Sequence, residues 1–250
     1  MKLYPFTFAT LLLAFSTASA QVYDFESGTG ILTDVSFGSG SNNSLGTSAD
    51  GSTGLTLQTH STNAWNTYAL TDSGSCVNLA VGTTATLTFD TIYTEGNTAG
   101  GINWGFVDAT TGVGIWGYNF APFAPTEFGI ATGAANAAAS PANNEAATSA
   151  MPSGSYNVEF SVTSLGGDLF SVSSVVSDFT TGAVVQSYAS TNFSATGLEG
   201  MNLHPVFGKK SGRNTAGLSY TIDNTLVVPE PSGAFLALLG GLSFMTRRRR

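Results

Sequence analysis

The side chains of this chain that could do chemistry are few and scattered. Two histidines, His60 and His204, and one cysteine, Cys76, stand far apart in its 250 residues. No His-x-x-x-His or Cys-x-x-Cys pair occurs, so the spacing that brings two nitrogen or sulfur ligands onto one zinc ion is missing. No Gly-x-Ser-x-Gly elbow exposes a serine nucleophile, and no glycine loop followed by Lys and Ser or Thr cradles a phosphate. As a lone thiol, Cys76 forms no intrachain disulfide and reads as a small buried hydrophobe. Metal-dependent hydrolysis and nucleophilic catalysis are therefore poor readings.

Glycoside hydrolysis asks for two carboxyl groups about 5 to 10 Å apart across a cleft. Glu95, Asp108, Glu127, Glu145 and Glu159 come singly along the chain, so an acid pair would have to be assembled from distant segments. Sugar binding without catalysis needs less: an aromatic face to lie against a pyranose ring, with amides and carboxylates for its hydroxyls. Trp65, Trp104, Trp116 and Tyr118 are the candidates, with Asn66, Asn103 and Asn119 beside them. Trp104 and Phe106 share one face of a strand, as do Trp116, Tyr118 and Phe120, and the same alternation also builds a sandwich core. Trp65, in a Ser-Thr-Asn-Ala context, is expected to be the most exposed.

The elements that must position these residues read as strands. In 84–93, Ala85, Leu87 and Phe89 alternate with Thr86 and Thr88, the period of a half-buried strand rather than a helix. Short strands are also expected over 22–25 and 54–58, and a hairpin over 101–107 and 113–120 turns at Asp108 to Gly112. A second set covers 156–164, 169–177 and 183–189, with turns at Gly166-Gly167-Asp168 and Asp178 to Gly182, and the closing strand is expected over 218–227. Residues 34–53, rich in Gly, Ser and Asn, and 131–155, rich in Ala and Asn with Pro141 and Pro152, read as exposed loops. Lys209, Lys210 and Arg213 are placed in a loop between strands. Many short strands at even turn spacing predict an all-β fold, an antiparallel jelly-roll β-sandwich.

Both ends read as address labels. Lys2, the apolar run from Phe6 to Phe15 and the Ala18-Ser19-Ala20 site before Gln21 have the order of a secretory signal peptide, so signal peptidase is an expected partner. At the other end, Val228-Pro229-Glu230-Pro231 precedes an apolar stretch and Arg247, Arg248, Arg249 and Arg250. A helix over 233–245 would rise only about 20 Å against a hydrocarbon core of about 30 Å, and the arginines would hold its end on the cytoplasmic side. The expected organisation is 1–20 signal peptide, 21–227 β-sandwich, and 228–250 a tail with a short hydrophobic helix that dwells in the membrane. Of the 8 Lys and Arg, only Lys209, Lys210 and Arg213 remain when Lys2 and the four terminal arginines are set aside, while all 16 Asp and Glu lie from Asp24 to Glu230, so the exported part carries a net charge near −13. Such a surface repels nucleic acid and excludes it as a partner.

The ordered tail closely resembles the PEP-CTERM sorting signal of exported bacterial proteins. That resemblance implies a cell-envelope or matrix protein whose tail is recognised and removed by the membrane protease-transpeptidase exosortase. The run Tyr23-Asp24-Phe25-Glu26, the segment 101–107 and Ile222-Asp223-Asn224 resemble the concanavalin A-like and carbohydrate-module jelly rolls. This second resemblance implies a non-catalytic protein binding extracellular polysaccharide, with a glycan-active hydrolase or lyase as the alternative. It also implies a structural calcium ion where the first and last strands meet, at Glu26 and Asp223 with Asp24 nearby, oxygen ligands of the kind that ion takes.

Overall fold

The computed structural model describes residues 20–26, 32–34, 44–57, 65–70, 76–95, 100–121, 127–134, 143–147, 149–210 and 218–230. Every regular element among them is a strand: β1 Gln21–Tyr23, β2 Leu32–Asp34, β3 Ser44–Thr47, β4 Thr53–Thr56, β5 Trp65–Leu70, β6 Val77–Asn78, β7 Thr84–Thr94 and β8 Gly100–Val107. The second half of the order is β9 Val113–Ala121, β10 Glu127–Ala134, β11 Asn143–Ala147, β12 Gly154–Gly166, β13 Leu169–Asp178, β14 Val184–Ser194, β15 Asn202–Lys210 and β16 Ser219–Glu230.

Two antiparallel sheets form the expected sandwich. The front sheet runs β14-β13-β12-β7-β16-β4-β3 with β1 also on β16, and the back sheet runs β11-β10-β9-β8-β15-β5-β2 with β6 on β15. The alternation read in β7 sends Ala85, Leu87, Phe89 and Tyr93 into the core and leaves Thr84, Thr86, Thr88 and Asp90 on the outer face. In β12, Tyr156, Val158, Phe160 and Val162 face the same core while Asn157 and Glu159 point out. Phe89 sits at the centre, its ring edge-on to Phe207 at 5.0 Å, Trp104 at 6.1 Å and Tyr220 at 6.5 Å. The two sheets are also tied by a polar contact, the Trp104 indole Nε1 donating to Ser174 Oγ across the core at 3.1 Å. Gly117 makes room for it, since a Cβ there would lie 2.7 Å from Trp104 Nε1.

The structure adds strands where low apolarity had predicted loops. β3 lies inside 34–53, and β10 and β11 occupy parts of 131–155; β3 and β11 are sheet edges, where Ser, Gly, Asn and Ala suffice because backbone ladder bonds form the strand, whereas β10 lies inside the back sheet with Phe128, Ile130 and Ala131 buried. Lys209 and Lys210 are not in a loop but in β15, paired with Ile102 and Gly101 of β8. The closing strand also runs past Val227: Val228, Pro229 and Glu230 pair with Thr86, Ala85 and Thr84. First and last strands pair, Gln21 opposite Val227 and Tyr23 opposite Thr225. Residues 1–19, Ala18 among them, where the signal peptide is expected, and residues 231–250, with Pro231, the expected hydrophobic helix and Arg247 to Arg250, lie outside the described residues. No helix among the described residues is long and apolar enough to cross a membrane.

Candidate functional site

The outer face of the front sheet carries a cleft of about 280 Å³. Its floor is set by register. Ser177 on β13 is opposite Asn157 on β12, Asn157 is opposite Asp90 on β7, and Asp90 is opposite Asp223 on β16. Antiparallel neighbours directly opposite one another point to the same side, so one polar row crosses four strands. Beside it, Val175, Glu159 and Thr88 form a second row. Asp90 and Glu159 are thus diagonal neighbours on adjacent strands, about 7 to 8 Å apart at Cα.

Hydrogen bonds fix the row. The Asn157 amide donates to Asp90 Oδ1, and the Asn224 amide donates to Asp90 Oδ2 at 2.9 Å and to Asp50 Oδ2 at 3.0 Å. Asn224 reaches both because β16 bulges there. Its register on β7 shifts between Asp223 and Leu226, and Asn224 takes the left-handed conformation at φ 47°, which asparagine tolerates better than most residues. On the far side of β16, β4 pairs with Thr221 and Ile222 and β1 with Thr225 to Val227, leaving Asp223 and Asn224 between two partner strands.

The β3–β4 turn closes over that gap. Ser48 N donates to Ser52 O at 3.0 Å and Gly51 N to Ser48 O at 3.2 Å, with Gly51 at φ 91°, a value glycine adopts at little cost. Ser52 Oγ reaches Asp223 Oδ2 at 2.5 Å. The Ser48 hydroxyl, then the Ser52 hydroxyl and amide and the Asn224 amide, hold the Asp50 carboxyl well below the usual carboxylate range.

The residues expected to form sites are distributed differently. Trp104 is in the core, 0 % exposed. Trp116 and Tyr118 lie on the other face of the back sheet, buried with Val107, Ala131 and Val206, so none of the three shows its face to a ligand. Burial pushes Tyr118 up to about 12; its hydroxyl donates to Glu127 Oε2 at 3.2 Å and accepts from Asn144 at 3.3 Å. Trp65 is paired with Lys210 through its backbone, and its side chain lies outside the described ones. Of the calcium set, Glu26 accepts from the Thr53 amide at 2.8 Å and Asp24 from the Glu26 amide at 3.3 Å, so both cap backbone groups at strand ends. Among the described residues, no three His, Cys, Asp or Glu side chains converge to hold a metal ion. Asp223 alone of the set reaches the polar cluster. The sequence reading missed Asp90, Asn157 and Asn224; the outward parity of Asp90 and Asn157 was legible but their adjacency was not, and Asn224 joins them only through the bulge.

No protein-family profile matches the chain, and no curated protein matches it. Solved structures match its fold. The acidic lectin of winged bean, complexed with methyl-α-D-galactose, superposes with a TM-score of 0.54 at 10% identity, covering 85% of this chain and 100% of the lectin. The fold is a lectin-like jelly roll. A carbohydrate-binding module of the evolved Dit protein of Lactobacillus casei BL23 phage J-1 gives 0.51 at 13% identity over 83% of this chain and 95% of the module. A marine alginate lyase from Aplysia kurodai gives 0.50 at 12% identity over 75% and 87% of the two chains.

Proposed function

We propose that this chain is an exported, non-catalytic polysaccharide-binding protein of the cell envelope or extracellular matrix, with the front-sheet cleft as its sugar site. The observation that supports this reading is the row Ser177, Asn157, Asp90 with Glu159 beside it: amide donors, carboxylate acceptors and a hydroxyl on the floor of an open cleft in a lectin-like jelly roll. Sugar hydroxyls donate and accept at once, and such a mixed row satisfies both roles. Asn157 and Glu159 are exposed, and Val175 supplies apolar surface for a ring's C–H face. Charge argues against nucleic acid and favours neutral glycans or cation-bridged acidic ones.

A catalytic reading has one supporting observation, the diagonal pair Asp90 and Glu159, whose spacing is of the order used by glycosidases. Against it, both Asp90 oxygens already accept from amides, an arrangement suited to holding a carboxylate still. Delivery, in this proposal, follows the two labels: signal peptidase cuts before Gln21, and exosortase handles the tail after its helix has held the chain in the membrane.

Polysaccharide-array binding of the purified protein tests the function. Binding lost in Asn157→Ala/Glu159→Ala, with no new reducing ends or unsaturated products, is the expected result. Retention by the double variant, or no binding to any polysaccharide, would sink it.

A further inference from the structure

The chain enters and leaves the sandwich at one end. β16 runs to Glu230, opposite Thr84 at the start of β7, and Thr84 is opposite Thr163 near the end of β12. β1 begins at Gln21, opposite Val227, so it opens towards the same end of the front sheet. Only Pro231 and Ser232 separate Glu230 from the apolar run of 233–245. Three extended residue steps span at most about 10 Å. Whatever takes up that run therefore lies within about 10 Å of this end of the domain.

The same end exposes aliphatic side chains. Val81 is 55 % exposed, Leu165 46 % and Leu169 38 %. They adjoin one another: a Cβ on Gly166 would lie 3.5 Å from Val81 Cγ1, Leu165 directly precedes Gly166, and Leu169 is opposite Gly166 across the β12–β13 turn. Backbone bonds fix the two loops together, Gly82 N donating to Ser164 O at 2.8 Å and Ser164 N to Thr83 O at 3.0 Å. Single exposed aliphatics are ordinary, but a group of them on adjoining loops marks a contact surface. The charges here are acidic: Asp168 N donates to Glu199 Oε2 at 3.1 Å and Glu199 N to Asp168 Oδ1 at 3.3 Å, and the one described Lys or Arg side chain, Lys209, is buried between the sheets. Attraction to an anionic surface is thus absent, and the contact has to be apolar.

We infer that this end of the sandwich docks on the lipid bilayer, with Val81, Leu165 and Leu169 seated at the boundary between headgroups and acyl chains. The inference rests on the reading that the tail dwells in the membrane. The headgroup layer is about 5 to 8 Å deep on each side, so a tether of at most about 10 Å brings the aliphatic patch onto it. Three half-exposed side chains are too few to hold a free domain, since even one myristoyl chain binds membranes only marginally. A tethered domain, by contrast, meets the surface at the high local concentration that a short linker sets. The consequence is orientation. Asp90 lies six residues along β7 from Thr84, about 20 Å at about 3.3 Å per residue, so the polar cleft is held clear of the membrane and faces away from it.

The test uses the full-length protein in a Cys76→Ser background, with Leu169→Cys or Val184→Cys carrying an environment-sensitive fluorophore, on phosphatidylcholine vesicles with brominated acyl chains. Val184 is also an exposed aliphatic, 62 %, but stands opposite Ser177 at the far end of the sheet. Expected are flotation of the chain with the vesicles, a blue shift and bromine quenching of the label at 169, and neither at 184. Adding Val81→Ser and Leu165→Ser should diminish the shift at 169 while flotation persists. Flotation with the label at 169 as water-exposed as that at 184 would overturn the docking and leave the tail reading standing. Equal quenching at both positions would overturn the orientation, and protection that appears only when phosphatidylglycerol is added would overturn the apolar chemistry. Failure to float would remove the tail reading and this inference together. Polysaccharide binding is measured separately, so the cleft is judged on its own result.

Discussion

Lys209 makes the stability of this protein depend on alkaline pH in an unusual direction. It is 3 % exposed, between the sheets, donating to Leu57 O at 3.0 Å and Leu218 O at 2.6 Å. Burial lowers its ammonium from 10.5 to about 8. Because the folded value lies below the unfolded one, the unfolded chain binds the extra proton, and stability rises with pH between about 8 and 10.5. With about 1.36 kcal/mol for each pH unit separating the two values, the charged form costs about 3 kcal/mol at neutral pH, of which about 2 kcal/mol is recovered by pH 9.5. Deprotonation keeps two N–H donors for the two carbonyls, so neutralising the group loses no hydrogen bond. Tyr93, Tyr118 and Tyr220 act in the opposite sense: burial raises all three, so the unfolded chain ionises first and stability falls above about pH 10. Desolvation also raises the Cys76 thiol, an opposing slope that a Cys76→Ser background removes. Urea midpoints at pH 7, 8 and 9.5 should climb in Cys76→Ser and stay level in Cys76→Ser/Lys209→Met. The level of the Met variant is a separate matter, since two carbonyls lose their donor at about 1 to 3 kcal/mol each; the slope decides. A midpoint that falls from pH 7 to 9.5, or an equal rise in the Met variant, would refute the assignment to Lys209.

Ser174→Ala should cost about 1 to 3 kcal/mol in denaturant unfolding, because it strands the buried Trp104 indole N–H. Phe89→Ala, emptying the centre of the aromatic cluster, should cost about 3 to 5 kcal/mol. Asp178 in the β13–β14 turn is lowered by the Thr181 amide and hydroxyl and the Thr180 amide; its stabilising effect is present above the ordinary carboxylate value and lost as pH falls through the lower folded one, so Asp178→Asn should flatten the acid limb of the stability profile. Intact mass of the protein from cells should show an N-terminus at Gln21 and loss of the residues after the Val228 to Pro231 motif; a chain still ending at Arg250 would refute tail removal.

Much of the fold was legible because a strand buried on one face writes period-two alternation into its sequence, as β7 and β12 do. The turns were legible for a chemical reason. Asp108 and Asp178 each accept from the amides two and three residues on and from the second threonine's hydroxyl, so Asp-x-Thr-Thr-Gly announces a hairpin twice. β3 and β11 left little such trace, since ladder hydrogen bonds come from backbone and Ser, Gly, Ala and Asn carry no burial pattern. The aromatics admitted two readings, ligand face or core, because alternation places Trp104 and Trp116 on opposite faces of the back sheet without saying that both are buried, as the structure has them.

The sequence by itself determined the class of fold, the acidity of the chain and the outward parity of Asp90, Asn157, Glu159 and Asp223. Only the tertiary structure decided that these residues are neighbours. Parity is a local property of an extended backbone, but adjacency depends on strand order, and β13, β12, β7 and β16 meet across separations of up to 133 residues between Asp90 and Asp223. The bulge at Asn224 and the turn at Ser48 to Ser52 then bring Asp50 to the same place, a convergence of long-range pairing that no run of consecutive residues encodes.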